Sequence, residues 1–284
     1  MKRIFTILSV FIVLSGIISS CIRIEDRIKG RGRSIEVFTN INVNRVTEII
    51  TDGSIDVEVV PSNYYEVSIT AQENIIDLIW VKVSGNVAKV SFRSGAHVIP
   101  TDVTKVTFFI PEVRSVITNG SGDIYCYDGF FSNYDMYIRT NGSGNINLSG
   151  MDCDYFETVI NGSGDIRLSD IICGGFSGSV RGSGSIIVDG LLGAEVNTAI
   201  NGSGDVIYRG SVRSHYIKVD GSGRVDAYDL RTENVNVNVF GSGNTYVWAN
   251  RNLDVSIRGS GNVYYRGYPF ITFFNSGSGK LIPY

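Results

Sequence analysis

A recurring column of acidic and amide residues is the first feature of this sequence that could do chemistry. Each of these residues follows a Gly-Ser-Gly step, and carboxylate and amide oxygens are the ligands that Ca²⁺ prefers. However, calcium-binding β-rolls repeat roughly every nine residues, and this column is interrupted by Ser185, Arg224 and Lys280. A polar ladder that caps the backbone is therefore favoured over a calcium site, which stays the alternative. The column consists of Asp123, Asn145, Asp165, Asp205, Asn244 and Asn262.

Three cysteines offer a second possible chemistry. Cys153 and Cys173 each lie at the same place after a Gly-Ser-Gly step, whereas Cys126 has no such equivalent. Equivalent residues in stacked repeats lie close enough for a disulfide, but their side chains point alongside one another. We therefore favour a ladder of buried thiols, with a Cys153–Cys173 disulfide as the alternative. The sequence contains no Cys-x-x-Cys or histidine-rich spacing that would indicate zinc.

The sequence offers no recognisable catalytic set. Its two histidines, His97 and His215, do not belong to a triad or metal motif. The Gly-Ser-Gly steps lack the following Gly-Lys-Ser/Thr of a phosphate-binding loop. We therefore predict no catalytic, cofactor-binding or metal-binding residues, and the protein is not expected to be an enzyme.

The elements that position these residues are set by a repeat with a steady period of about 20 residues, which is the signature of a solenoid. Apolar and polar residues alternate on both sides of each Gly-Ser-Gly step, as is typical of half-buried β-strands. Glycine at both positions of the step suits a corner with a positive φ or a close backbone approach, and the asparagine before it tolerates left-handed backbone conformations. The steps begin at Gly120, Gly142, Gly162, Gly182, Gly202, Gly221, Gly241, Gly259 and Gly277.

Stacked coils explain the repeat better than successive hairpins. An Asn-Gly pair suits a hairpin turn, but one identical corner in every repeat favours a coil. Equivalent strands of successive coils would then pair in parallel, about 4.8 Å apart. The predicted fold is an all-β, parallel β-helix in which each coil takes up one copy of the repeat, with a β-rich N-terminal capping region.

The N-terminal segment 1–20 has the character of an export signal. Lys2 and Arg3 precede an apolar stretch from 4 to 18, which is too short for a lasting membrane span. Two serines then precede Cys21, as at the processing site of bacterial lipoproteins. We predict that Cys21 is the lipidation site and becomes the acylated N-terminus. Ordinary signal cleavage nearby is the alternative.

The remaining chain divides by composition. We predict a mixed-charge tether at 21–34, β-rich opening coils at 35–115, and β-helix repeats at 116–284. Thr51–Val57 resembles a divergent corner, 83–87 a tight turn, and 73–80 a short helical turn. The last part is rich in aromatic residues and predicts a C-terminal cap, with an exposed glycan-stacking or partner surface as the alternative; these residues are Tyr264, Tyr265, Tyr268, Phe270, Phe273 and Phe274.

The charge balance argues against a nucleic-acid partner. Removal of the signal segment leaves 23 basic residues against 28 acidic ones, which is a net charge of −5. A mildly acidic chain without a basic stripe lacks the electrostatic footprint of nucleic-acid binding.

Several motifs together resemble one known family. They are the signal with Cys21, the segment Asp52–Val57, and the step from Phe109-Ile110-Pro111-Glu112-Val113 into Asn119–Asp123 with its later copies. This combination resembles the auto-transporter adhesin head (GIN) domain family, DUF2807, from about Asn40 to the last corner. The resemblance implies a right-handed β-helix on an exported, often lipid-anchored protein, and it brings no catalytic residues.

These features predict a non-catalytic, lipid-anchored protein of the cell envelope that presents a β-helical binding surface, as an adhesin does. The expected partners are a protein or glycan ligand and the membrane, through the lipid anchor. The expected location is the bacterial outer membrane, on the cell surface or the periplasmic face. The alternative is a polysaccharide-binding or polysaccharide-processing β-helix protein, and a structural role in the periplasm is a third possibility.

Overall fold

The structure is a computed structural model that describes residues 27–131 and 134–284. Cys21 and the predicted signal lie outside these residues. The first part of the described chain forms nine strands and one 3₁₀ turn, at Ile76–Leu78 in the segment where a helical turn was expected. The strands are β1 (Arg27–Lys29), β2 (Ser34–Thr39), β3 (Glu48–Asp52), β4 (Asp56–Pro61), β5 (Glu66–Gln72), β6 (Ile79–Ser84), β7 (Val87–Phe92), β8 (His97–Ile99) and β9 (Lys105–Ile110).

The second part of the chain contains longer strands. Six of them, β14 to β19, run through nearly a whole repeat, because only the Gly-Ser-Gly corner interrupts them. The strands are β10 (Ser115–Thr118), β11 (Ile124–Cys126), β12 (Phe130–Phe131), β13 (Met136–Thr140), β14 (Ile146–Ile160), β15 (Ile166–Val180), β16 (Ile186–Ile200), β17 (Val206–Val219), β18 (Val225–Val239), β19 (Thr245–Ile257), β20 (Val263–Arg266), β21 (Phe270–Asn275) and β22 (Leu281–Pro283).

Successive repeats pair in parallel. In β14, β15 and β16, Ile146 is opposite Ile166, and Ile166 is opposite Ile186, so each coil corresponds to one copy of the sequence repeat. Parallel pairing continues from β10 to β22. The predicted parallel β-solenoid is therefore confirmed, and the hairpin alternative is wrong, because hairpins would pair antiparallel.

Each long strand bends at two places. In β14 the buried side chains alternate along Ile146–Ser149, again along Met151–Cys153 and again along Tyr155–Thr158, and alternation breaks between these segments. Gly150 at the first break has a φ of +70°. Each coil from β14 to β19 thus has three segments, which stack into three sheet faces: face A after the corner, face B in the middle and face C before the next corner.

Columns of aliphatic side chains fill the interior. Each column is formed by residues at one register position, such as Ile146, Ile166 and Ile186 on face A, which are all fully buried. A single coil cannot bury such a side chain, because both neighbours in its column belong to other coils. Stability must therefore come from stacking, as in other solenoids.

The N-terminal part of the chain forms the first coils of the stack and covers the N-terminal end of its core. β3 and β4 pair in parallel with β10 and β11, and Gly120 lies directly on the backbone of Gly53, which confirms the divergent corner. β7 and β9 form the coil below them. Beyond this coil, β2, β5 and β6 add antiparallel strands. The tight turn at Gly85 joins β6 to β7, as predicted.

Candidate functional site

The Gly-Ser-Gly corners are sites of close backbone approach. A Cβ added to Gly162 or Gly182 would lie well inside van der Waals contact with the carbonyl oxygen of the corner glycine one coil earlier. None of the predicted Gly-Ser-Gly corners, all of which are described, has a positive φ, so close approach is the reason for glycine there. The corner carbonyls also accept hydrogen bonds from the next coil, for example from Ser163 N to Gly142 O at 2.9 Å.

The polar column after the corner caps the backbone of the next coil. The amide N–H of Asn145 donates to Asp123 Oδ1 at 2.7 Å, that of Asp165 to Asn145 Oδ1 at 2.9 Å, and that of Ser185 to Asp165 Oδ1 at 2.8 Å. These oxygens therefore serve as acceptors for protein N–H groups. In the described part of the chain, no three His, Cys, Asp or Glu side chains come together as a metal site.

The asparagines before the corner form a second ladder. Asn141 Nδ2 donates to Asn119 Oδ1 at 2.7 Å, and Asn161 Nδ2 donates to Asn141 Oδ1 at 2.8 Å. These asparagines do not adopt the left-handed conformation that this residue type tolerates, because Asp170 is the one non-glycine residue with a positive φ among those described. These asparagines therefore pair with the same residue of the neighbouring coil, and they do not set the backbone conformation of their own corner.

The three cysteines that the structure describes are free and buried. Cys153 and Cys173 are opposite each other in β14 and β15, as predicted, and they do not form a disulfide. Burial raises the pKa of each of these two thiols, and that of Cys126, to about 12. They are therefore protonated at neutral pH and are poor nucleophiles.

A polar cluster inside the solenoid was missed by the sequence analysis. Thr198 Oγ1 lies 2.8 Å from His215 Nε2, and Tyr208 packs against both the His215 ring and Phe176, with ring centroids 5.7 and 5.5 Å away. Burial lowers the pKa of His215 to about 3, so its imidazole is neutral. Its Nδ1 is buried without a hydrogen-bond partner. The other histidine, His97, is exposed on β8, in the N-terminal region.

Gly178 makes room for this cluster. A Cβ at this position would meet the Tyr208 hydroxyl oxygen well inside van der Waals contact. Its neighbours in the same column are Thr158 and Thr198. The sequence contained a signal for this cluster. A glycine replaces threonine at one coil of this column, and a tyrosine occurs in a neighbouring column of otherwise aliphatic residues.

The outer side of face C carries a shallow depression with groups suited to binding. It is formed by β15 to β18, and it presents hydroxyl and amide groups, one aromatic ring and one ammonium group. Tyr216 is half exposed, and Asn238 Nδ2 donates to Asn236 Oδ1 at 2.7 Å. The polar and aromatic side chains at its surface are Ser177, Asn197, Tyr216, Lys218, Asn236 and Asn238.

The charge pattern of this depression does not resemble a hydrolytic site. Lys218 Nζ is 3.1 Å from Asp220 Oδ2 in a solvent-exposed ion pair. The residues that line it include no carboxylate and no histidine, so it does not present the pair of carboxylates that is typical of glycoside hydrolases. The arrangement can form hydrogen bonds and stack against one ring, which is the chemistry of a binding surface.

The C-terminal aromatic residues divide into two groups. On the outer side of face A, Tyr246 and Tyr264 stack with ring centroids 4.7 Å apart, and Tyr284 packs edge-on against both. This group fastens the last residue to the rod. The second group lies on or next to β21 and is exposed, with Phe270 84% and Tyr268 fully accessible.

These observations define a class of protein: a parallel β-solenoid with a packed interior and with polar and aromatic side chains on its outer faces. The chain belongs to the family described as putative auto-transporter adhesin, head GIN domain (DUF2807), whose model matches residues 45–172 and 169–269. The resemblance stated from the sequence is thereby confirmed.

Solved structures agree with this assignment. A putative lipid binding protein from Parabacteroides distasonis is 28% identical, with a TM-score of 0.68, over 91% of this chain and 100% of that one. A putative adhesin from the same organism is 20% identical, with a TM-score of 0.69 and the same coverage. A putative adhesin from Parabacteroides merdae is 21% identical, with a TM-score of 0.61, over 91% of this chain and 99% of that one. The comparison with curated proteins gave no match.

The two putative adhesins are only 20% and 21% identical to this chain, so their similarity supports the fold alone. Within the described residues, no helix has the length and apolar character needed to cross a membrane.

Proposed function

We propose that this protein is a non-catalytic adhesin of the cell envelope, exported by its N-terminal signal and held to the membrane by a lipid on Cys21. The observation that carries the proposal is the outer side of face C. There the strands β15 to β18 present hydroxyls, amides and the Tyr216 ring on a rigid sheet, without a lining carboxylate or histidine. Membership of a family named for adhesins supports the same function.

The proposed ligand is a protein or a glycan. Asn197, Asn236 and Asn238 offer both donors and acceptors, and Tyr216 offers an apolar ring. Such a surface can recognise sugar hydroxyls or peptide groups. A polysaccharide-processing enzyme is the weaker candidate, because this surface has no lining carboxylate, whereas most glycoside hydrolases use a pair of them.

The anchor and the location are tested together. Protease is added to intact cells that carry either the wild-type protein or the Cys21→Ala variant, with Ser19→Ala as the control that keeps the cysteine. We expect digestion of the wild type and the control, and loss of membrane association in Cys21→Ala alone. Protection until the outer membrane is breached would overturn the adhesin proposal, and a Cys21→Ala protein that stays in the membrane fraction would overturn the lipid anchor.

The binding surface is tested separately. Cells or purified protein are applied to surfaces coated with polysaccharides, mucin or matrix proteins, and Tyr216→Ala is compared with Tyr137→Ala. Both tyrosines point outward at the same register position of face C, but Tyr137 lies four coils earlier. We expect at least about tenfold weaker binding for Tyr216→Ala, as for aromatic hot spots, and unchanged binding for the control. Binding by Tyr216→Ala that equals that of the wild type would show that the depression around Tyr216 is not the ligand site.

A further inference from the structure

The C-terminal end of the solenoid has an open sheet edge. β21 pairs with β19 on one side, and the described residues provide no strand on its other side. All of its residues, Phe270–Asn275, are exposed. The N-terminal end differs, because antiparallel strands β2, β5 and β6 lie over the first coil there. An open and apolar edge of this kind is a template for pairing with another strand.

The sequence of β21 is nearly symmetric about Thr272. Ile271 and Phe273 point toward the interior, above Leu253 and Val255, whereas Phe270 and Phe274 point outward. If two copies of β21 pair antiparallel about a two-fold axis at Thr272, Phe270 faces Phe274 and Ile271 faces Phe273 of the second copy. Thr272 then faces itself. Aromatic, apolar and Thr–Thr pairs are the favourable cross-strand pairs of antiparallel sheets.

This pairing also keeps the two sides of the sheet matched. Residues directly opposite in an antiparallel pair point to the same side, so the inward residues of one copy meet the inward residues of the other. The two interiors then form one continuous core. A two-fold interface uses the same patch on both copies, and this patch meets that requirement.

The exposed apolar area is sufficient for a specific dimer. Tyr268, Phe270 and Phe274 are 100%, 84% and 57% exposed, and Ile271 and Phe273 are partly exposed. With about 200 Å² for each large side chain, this gives roughly 600 Å² per copy. Two copies would bury on the order of 1,200 Å², which is the lower limit of the usual range for specific interfaces.

We propose that the C-terminal end of this protein is a homotypic interface, through which two copies join end to end by antiparallel pairing of β21. The dimer does not depend on the ligand of face C or on the lipid anchor. The two N-terminal regions, each of which is described from Arg27 onward, lie at opposite ends of the joined rods, and the proposed lipid anchor on Cys21 precedes each of them in the sequence. The dimer could then connect two membranes.

The test uses the purified full chain in mild detergent and measures its mass by sedimentation equilibrium. We expect a dimer at about 100 μM, since an interface of this size is compatible with a micromolar Kd. Thr272→Lys would place two like charges opposite each other and weaken the dimer at least about tenfold. The control is Asn236→Lys, which lies at the same outward register position two coils earlier and should leave the dimer intact.

A crosslink tests the register. Opposite Cα atoms in antiparallel strands lie about 4.5–5.5 Å apart, which permits a disulfide. Thr272→Cys should therefore form a disulfide-linked dimer on mild oxidation, whereas Asn236→Cys should not. Failure of the wild type to dimerise at this concentration, or a dimer that survives Thr272→Lys, would overturn the proposal. A monomer that binds phospholipid vesicles through the same residues, and loses this binding in Thr272→Lys, would also overturn it in favour of a lipid surface.

Discussion

The neutral imidazole of His215 makes the stability of the solenoid depend on pH. Burial lowers its pKa in the folded state to about 3, below the ordinary value near 6.5. The unfolded chain therefore binds more protons between these two values, and the free energy of unfolding falls as the pH is lowered through this range. Between pH 7 and pH 5 the expected loss from this group is about 2 kcal/mol.

A valine at position 215 should remove most of this pH dependence, because the neighbours of His215 in its column are Val196 and Val235. Urea unfolding at pH 7 and pH 5 measures the effect. The difference between the two pH values should be about 2 kcal/mol smaller in His215→Val than in the wild type. The same difference in both proteins would mean that the imidazole is not buried in its neutral form.

Gly178 should be intolerant of a side chain for a local reason. A Cβ there meets the Tyr208 hydroxyl, so Gly178→Ala should lower the free energy of unfolding by about 1–3 kcal/mol through overpacking. Removal of that hydroxyl should restore part of the loss in the double variant Gly178→Ala/Tyr208→Phe. Ser177→Ala, one residue earlier on the outer side of the sheet, is the control and should be nearly neutral. Additive effects of the two substitutions would contradict this explanation.

At the scale of the coil, the corner glycines set the distance between repeats. A Cβ at Gly182 would meet the carbonyl of Gly162, and the three nearest atoms all belong to the Gly162 backbone, so no flexible side chain could move aside. Gly182→Ala should therefore cost about 3 kcal/mol or more, whereas Ser183→Ala, at the exposed tip of the same corner, should cost less than about 0.5 kcal/mol. Thermal unfolding of the two variants measures the difference. An equal small effect would show that the corner can widen without loss of the stack.

The sequence predicts the repeating elements well and the irregular ones poorly, for a physical reason. Aligning the copies of a repeat shows which residues are opposite each other in neighbouring coils. The corners at Gly120–Gly279, the parallel pairing and the Cys153–Cys173 neighbours could therefore be predicted. The antiparallel strands β2 and β5 occur once, and their pairings, β2 with β5 and β5 with β9, join segments that are distant along the chain. The polar and aromatic groups of the face C depression were not predicted either, because single residues from four coils come together there without a shared local motif.

At the scale of the whole molecule, a solenoid whose coils contact only their neighbours should exchange amide hydrogens unevenly. Amides in β15 and β16 are covered by coils on both sides, so their exchange requires the opening of several coils. Half of the β21 amides face an open edge in a single copy, and their exchange should be orders of magnitude faster.

The proposed dimer changes this expectation, because the second copy of β21 would accept hydrogen bonds from those amides. In the wild type at high concentration, Phe270–Asn275 should therefore be protected, and in Thr272→Lys the same segment should exchange rapidly while β15 and β16 stay unchanged. Equal protection of β21 in both proteins would mean that its edge is covered by something other than a second copy.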